Sequence, residues 1–469
     1  MGTEVKRIHL LGICGTAMAA LAGALKQQGY RVTGTDEHVY PPISDFLAAQ
    51  GIAYTQGYAA GNIPQDTDLV VVGNVIREAN PEAAEMRRRE LPFLSMAEAV
   101  YQYAIRGRFT LAVVGTHGKT TTSTLAAHTL VHAGQDPGYL IGGIPMNLPA
   151  NFATGQGQNF VIEGDEYDTA YFDKTPKFFK YRPSGVIFTS LEFDHADIYP
   201  DLEAIRRHFR ALIQGLPPKG FLVACWDDPN VRELLPLAPC PVVTYGSQPG
   251  ADCRQEVLAI TPEGTRFRVT WGQEQQEWTI PLAGDYNAAN ATAVMIAARR
   301  MGLSANAVQS AFSAFQGVKR RQEVRGVANG VTVIDDFAHH PTAVRLTIAA
   351  VRQKYPHGTL WAVFEPRSYT ARHKRFQEDW GRAFPLADRV LLAPPYQPPG
   401  SPASDLLDVA QVARDVNTQG GQAQTCTNTQ AILDILASQA HPGDTVLVMS
   451  NGGFDNIHQR LLDALAKRT

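Results

Sequence analysis

A chain of 469 residues has room for about three domains of ordinary size, each with its own core. Its composition, 44% hydrophobic and 19% charged, is that of a globular protein and excludes a disordered or fibrous one. A formal net charge of -3 and no long run of like charge argue against nucleic acid or a membrane as partner, so anionic ligands must be held by local sites.

Cys14, Cys225, Cys240, Cys253 and Cys426 lie far apart with no C-x-x-C pair, and they read as reduced thiols of a cytoplasmic protein. Lys6-Arg7 followed by IHLLGICGTAMAALAGAL has the outline of a signal peptide, but Gly12 and Gly15 punctuate it and the pattern continues into a second strand. No other segment holds 18 consecutive apolar residues, so no membrane span is expected.

Residues 5–36 predict a strand, the turn Gly12-Ile13-Cys14-Gly15-Thr16, a helix over 18–28, and a second strand leading to Asp36. In a βαβ nucleotide-binding unit a pyrophosphate sits over Gly12, Gly15 and Thr16, with Asp36 reaching a ribose or base. The third glycine of G-x-G-x-x-G is missing, so an ordinary tight turn, a dinucleotide site and another nucleotide site all stay open. Short α/β units continue to residue 105, and Arg106-Gly107-Arg108 marks a first boundary.

Next comes the most informative stretch, LAVVGTHGKTTT. A strand over 111–114 stops at Gly115, and a helix opens at Gly118-Lys119-Thr120. Gly115, Thr116, His117, Gly118, Lys119, Thr120 and Thr121 form a shortened phosphate loop. Its glycines let backbone N–H groups curl round phosphate oxygens, Lys119 adds charge, and the Thr120 hydroxyl can ligate Mg²⁺. A strand over 159–162 then ends in Glu163-Gly164-Asp165-Glu166-Tyr167-Asp168, and another over 185–189 ends in SLEFDHAD, which carries His195. Carboxylates and a histidine at neighbouring strand ends suit a metal and phosphate site. Residues 255–280 alternate like a β-hairpin layer, and Asn287 and Asn290 share a face at the start of an alanine-rich helix.

Gln316 to Arg321 marks the second boundary, where Arg321 can lie across phosphates. Strands over 331–334, 360–364, 389–393 and 444–449 predict a third parallel α/β domain carrying DDFAHHPT, FEPRSYT, the proline-rich loop 394–402 and MSNGGF. The expected division is 1–106, 107–318 and 319–469. The fold class is α/β in three domains: Rossmann-like, a central phosphate-loop ATPase-type parallel sheet with a small β layer, and Rossmann-like again.

With GTHGKTTT, EGDEYD, SLEFDHAD, GDYNAANA, KRRQE and DDFAHHP in this order, the chain resembles the Mur ligases over its whole length. GICGTAM and DDFAHHPT place the resemblance in the branch that uses UDP-N-acetylmuramate. GGIPMNLPANF, FEPRSYT and MSNGGF are similar to the member that adds the murein tripeptide L-Ala-γ-D-Glu-meso-diaminopimelate, and addition of L-alanine is the near alternative. The resemblance implies an ATP- and Mg²⁺-dependent ligase working through an acyl phosphate. It implies Lys119, Glu163 and His195 as catalytic groups, with Thr120, Glu163 and His195 as metal ligands. ATP would be met by the phosphate loop, Asn287, Asn290, Arg321 and Asp336, and the UDP-sugar by Gly12, Gly15, Thr16 and Asp36. Arg367, Ser368, Tyr369 and Asn451 stand as candidates for the peptide. Three departures are visible: Tyr286 where relatives carry a histidine, no lysine in DLEAIRRHFRALI, and no D-N-P-R signature. A nucleotide sensor without ligation and a folate-type polyglutamate ligase are the readings from other classes.

Overall fold

The computed structural model describes residues 5–41, 43–398 and 403–468, so residues 399–402 of the proline-rich loop lie outside the described residues. Three main sheets succeed one another along the chain. In the first, β1 (Arg7–Leu11), β2 (Arg31–Asp36), β3 (Ala53–Gln56), β4 (Leu69–Val72) and β5 (Phe93–Ser95) are ordered 3-2-1-4-5 and all parallel. Strand order reverses beside β1, so the turn that follows it lies at the switch point where open α/β sheets take ligands.

The second sheet contains β6 (Phe109–Val114), β7 (Gly138–Leu140), β8 (Phe152–Ala153) and β9 (Asn159–Glu163). A separate antiparallel ribbon of β10 (Asp168–Ala170) and β11 (Asp173–Pro176) follows. The main sheet resumes with β12 (Gly185–Phe188), β13 (Phe221–Cys225), β14 (Val242–Gly246), β15 (Cys253–Thr261), β16 (Gly264–Trp271) and β17 (Glu274–Ile280). Its order is 17-16-15-14-13-12-6-9-7-8. The expected small β layer is three strands, not a hairpin. It continues the parallel sheet through two residue pairs, Tyr245 with Cys253 and Gly246 with Arg254.

The central helix Lys119–His132 is buried from Thr120 through Leu130, between the sheet and the helix Asp285–Arg300. Two of its buried hydroxyls are satisfied within the helix: Thr124 and Thr129 donate to the carbonyls of Thr120 and Leu125 at 2.6 and 2.7 Å.

The third sheet runs 18-19-23-20-21-22, with β18 (Glu323–Ala328), β19 (Val331–Asp336), β20 (Leu360–Phe364), β21 (Arg389–Leu392), β22 (Ala423–Thr425) and β23 (Thr445–Met449). It departs from the expected all-parallel reading at β18, an antiparallel edge strand joined to β19 through Asn329-Gly330. Both turn residues have positive φ, 47° and 73°, as a tight hairpin between twisted strands requires. Among the described residues no helix is long and apolar enough to cross a membrane, and all five cysteines are free thiols.

Asp444 locks the start of this sheet. Its carboxylate accepts from Thr359 N at 2.8 Å, His441 N at 3.0 Å and the buried Trp361 Nε1 at 3.1 Å. Burial alone would raise its pKa, but these donors outweigh burial and hold it below the ordinary 3.8. The stabilisation is therefore complete above that value and lost as pH falls through the lowered one. Asp444→Asn turns an NH₂ toward at least one donor, with an expected cost of about 2 kcal/mol in urea unfolding at neutral pH. The acid-side slope of stability should flatten with it.

Candidate functional site

The C-terminal ends of β6, β9 and β12, neighbours in the sheet, build the centre of the site. After β6 the chain turns at Gly115 with φ +127°, where a Cβ would lie 2.4 Å from Thr189 Oγ1 and 2.7 Å from the Ser190 carbonyl. Only glycine lets the loop close this tightly on the end of β12. Thr116 N and His117 N donate to Ser190 O and Oγ, each at 2.9 Å, so the shortened loop is pinned sideways. Gly118, φ +80°, is the N-cap, and a Cβ there would meet Asn290 Oδ1 at 2.8 Å. The following helix opens on the cleft with first-turn N–H groups that have no intrahelical acceptor, which suits an anion.

Around this loop the charged side chains converge. Thr120 Oγ1 donates to Glu163 Oε1 at 2.9 Å, and Gly142 N holds Glu163 Oε2 at 2.8 Å. Burial raises the Glu163 pKa against the opposing pull of Lys119. Lys119 Nζ reaches Glu166 Oε1 at 2.9 Å and also donates to the Gly115 carbonyl at 2.6 Å. Burial would lower the Lys119 pKa, but Glu166 and Glu163 outweigh it and the net shift is upward. His195 Nε2 lies 2.9 Å from the same Glu166 oxygen, and here too the carboxylates overcome burial to raise the pKa. His195 takes φ +54°, an uncommon conformation for a non-glycine residue and one found at functional sites.

Glu166 thus joins the lysine to the histidine although the sequence reading had not singled it out. Its position inside EGDEYD was visible, but not that its side chain turns back under the loop while Oε2 stays buried without a partner. A second unforeseen group stands beside it. His117 Nε2 lies 3.1 Å and His340 Nδ1 3.6 Å from Glu192 Oε2. Burial, reinforced by His117, pushes His340 down to about 4, and the two imidazoles outweigh burial to bring Glu192 to about 2.

Except for Gly115 and Glu166, which lie behind the surface, these groups line one cleft of about 1920 Å³. Gly12, Gly15 and Thr16 enter it from the first sheet, Thr116 through Thr121, Glu163 and His195 from the second, and Arg321, Asp336 and His340 from the third. Arg321 Nη2 reaches Thr120 Oγ1 at 3.4 Å. Asn287 and Asn290 also line the cleft, with Asn290 Nδ2 donating to Asn287 Oδ1 at 3.3 Å. Tyr286 is held by Gln322 Nε2 through its hydroxyl. Asp336 accepts Gln322 N and Ala338 N at 2.8 Å each, which braces the start of the third domain while it faces the cleft.

Other expected residues are placed elsewhere. Asp36 accepts Cys14 N at 2.8 Å and His38 N at 3.1 Å, so it braces the glycine turn and does not line the cleft. Gly115, the buried first residue of the loop, does not line the cleft. Arg367, Ser368, Tyr369 and Asn451 gather at the ends of β20 and β23, outside the cleft lining. Ser368 caps a short helix by accepting Ala371 N at 3.1 Å, and Tyr369 stacks on His373.

Models of the Mur ligase family, catalytic domain, the Mur ligase middle domain and the Mur ligase, glutamate ligase domain match residues 7–108, 113–298 and 320–452. The chain belongs to the Mur ligase family. Among Mur ligases it is 39% identical to the UDP-N-acetylmuramate–L-alanyl-γ-D-glutamyl-meso-2,6-diaminoheptandioate ligase of Escherichia coli, over 98% of this chain and 99% of that one. It is 33% identical to a UDP-N-acetylmuramate–L-alanine ligase of Rubrobacter xylanophilus, over 98% of this chain and all of that one. The crystal structure of a murein peptide ligase from Psychrobacter arcticus superposes with a TM-score of 0.71 at 33% identity, covering 99% of both chains.

Proposed function

We propose that this Mur ligase joins the lactyl carboxylate of UDP-N-acetylmuramate to the amine of L-Ala-γ-D-Glu-meso-diaminopimelate with hydrolysis of ATP to ADP and phosphate. The observation that carries this reading is the single cleft on which all three sheets deliver polar loops, with Lys119, Thr120, Glu163 and His195 at its centre. Residues 1–106 would hold the UDP-sugar, 107–318 ATP, and 319–469 the peptide. The 39% identity to the tripeptide ligase favours that acceptor over L-alanine, whose ligase matches at 33%.

A carboxylate resists attack by an amine because its oxygen is a poor leaving group, and phosphorylation replaces it with a good one. The γ-phosphoryl passes to the lactyl oxygen, nitrogen adds to the acyl carbon, and phosphate departs as the tetrahedral centre collapses. Lys119 and the helix N-terminus stabilise charge on the moving phosphoryl group, while Arg321 reaches across from the third domain. Thr120 Oγ1 and the Glu163 carboxylate present hard oxygens at one point, the donor set Mg²⁺ takes alongside phosphates, so these residues would hold it with His195 nearby. Bound there, Mg²⁺ would neutralise phosphate charge. Glu166 Oε1 lies 2.9 Å from both Lys119 Nζ and His195 Nε2 and so aims the two at the same place.

Phosphate release measured with L-alanine, dipeptide, tripeptide and tetrapeptide tests the acceptor. Release should require ATP, Mg²⁺, UDP-N-acetylmuramate and the tripeptide together. Turnover with L-alanine but not the tripeptide would transfer the assignment to the alanine-adding reaction.

A further inference from the structure

The cluster at the mouth of the phosphate loop has no part in the chemistry above. His117 belongs to the loop itself, Glu192 to the segment after β12, and His340 to the N-cap of the helix Pro341–Lys354 in the third domain. The nearest ligand atoms of the three residues lie within 4.8 Å of one another. Two of the three edges, 3.1 and 3.6 Å, already match the edge of about 3.3 Å that a tetrahedral ion with bonds near 2.0 Å would set. Only the edge between the two imidazoles must close, and their ring centroids are 4.8 Å apart.

The surrounding bonds point the same way. His340 Nε2 faces the Phe193 carbonyl at 3.3 Å, and an N–H there places the lone pair on Nδ1, the atom 3.6 Å from Glu192 Oε2. That pairing of a ligating imidazole with a backbone acceptor is the usual second contact of a metal-bound histidine. Glu192 is anchored through its backbone, with Glu192 N donating to Thr116 Oγ1 at 2.8 Å and Thr116 Oγ1 donating back to its carbonyl at 3.2 Å. One bond must be given up for an ion to bind: Thr342 N donates to His340 Nδ1 at 3.3 Å as the N-cap bond of the helix.

We propose that His117, Glu192 and His340 form a binding site for a borderline transition-metal ion of the Zn²⁺, Co²⁺ or Ni²⁺ class. Two imidazoles and one carboxylate select such ions over Mg²⁺, which prefers the all-oxygen corner at Thr120 and Glu163. The fourth position faces the cleft, which all three residues line, and is open to water or a phosphate oxygen. Because the ligands come from two sheets, an ion there ties the phosphate loop to the third domain. The inference rests on this geometry and not on the ligase assignment.

Titration of the full chain with Co²⁺ in excess Mg²⁺ tests it, read by the visible absorption of a nitrogen-ligated four- or five-coordinate ion. One equivalent should give the band. Glu192→Gln and His340→Asn should each weaken binding about tenfold or more. Asparagine is itself a good N-cap, so the second variant keeps its helix start. Glu163→Gln, which alters only the oxygen corner, should leave the band in place. Absence of the band, its survival in both ligand variants, or its loss in Glu163→Gln would overturn the proposal, and none of these outcomes bears on turnover with Mg²⁺ and ATP.

Discussion

Lys119→Ala is expected to lower tripeptide-dependent phosphate release about a thousandfold, in the range seen when one preorganised group facing transition-state charge is removed. The side chain is nearly buried, sits 2.9 Å from Glu166 and lies over its own loop through the Gly115 carbonyl, so its ammonium is already positioned where phosphoryl charge would develop. Removing it also leaves Glu163 and Glu166 without their cation, and the loss of a buried partner costs about 3–5 kcal/mol. Folding must therefore be checked separately by urea unfolding, and UDP-sugar binding is a second readout because its proposed contacts, Gly12, Gly15 and Thr16, belong to another sheet. A variant that binds the sugar nucleotide and releases no phosphate fits a ligase. Full turnover in the variant would remove Lys119 from the mechanism.

The positions of the parallel strands and the residues at their ends were largely legible in the sequence, because buried parallel strands read as short apolar runs stopped by glycine or acids. LAVVG and GVIFTS are such runs, and they became β6 and β12 with the phosphate loop and His195 at their tips. Asn329-Gly330 is equally readable as a hairpin turn, but Glu323–Ala328 before it has few buried positions to mark it as a strand, and β18 is absent from the sequence reading. Harder to read was the direction in which a side chain turns once its backbone is placed. Asp36 ends β2 where a ribose-binding carboxylate would stand, and only the structure shows that its oxygens accept Cys14 N and His38 N. Ser368 has the polarity of a substrate contact and serves as a helix cap.

The same limit hid Glu166, and the sharpest test of the site follows from it. A glutamate three residues beyond Glu163 could equally have been solvated, but here it is 3% exposed and bonded to both Lys119 and His195. Glu166→Gln preserves the shape and an acceptor for Lys119 while deleting the charge that draws lysine and histidine to one point. We expect kcat to fall about a hundredfold with KM for ATP changed by no more than about threefold, since the loss lies in alignment during transfer rather than in nucleotide binding. Stability should drop by about 3 kcal/mol, the scale for breaking a buried ion pair from one side. Glu166→Asp should recover part of kcat by restoring the charge, although its shorter arm cannot reach both partners equally. If Glu166→Gln lost only stability and kept kcat, the residue would be a structural support. The alignment of Lys119 with His195 would then have to come from the loop backbone alone.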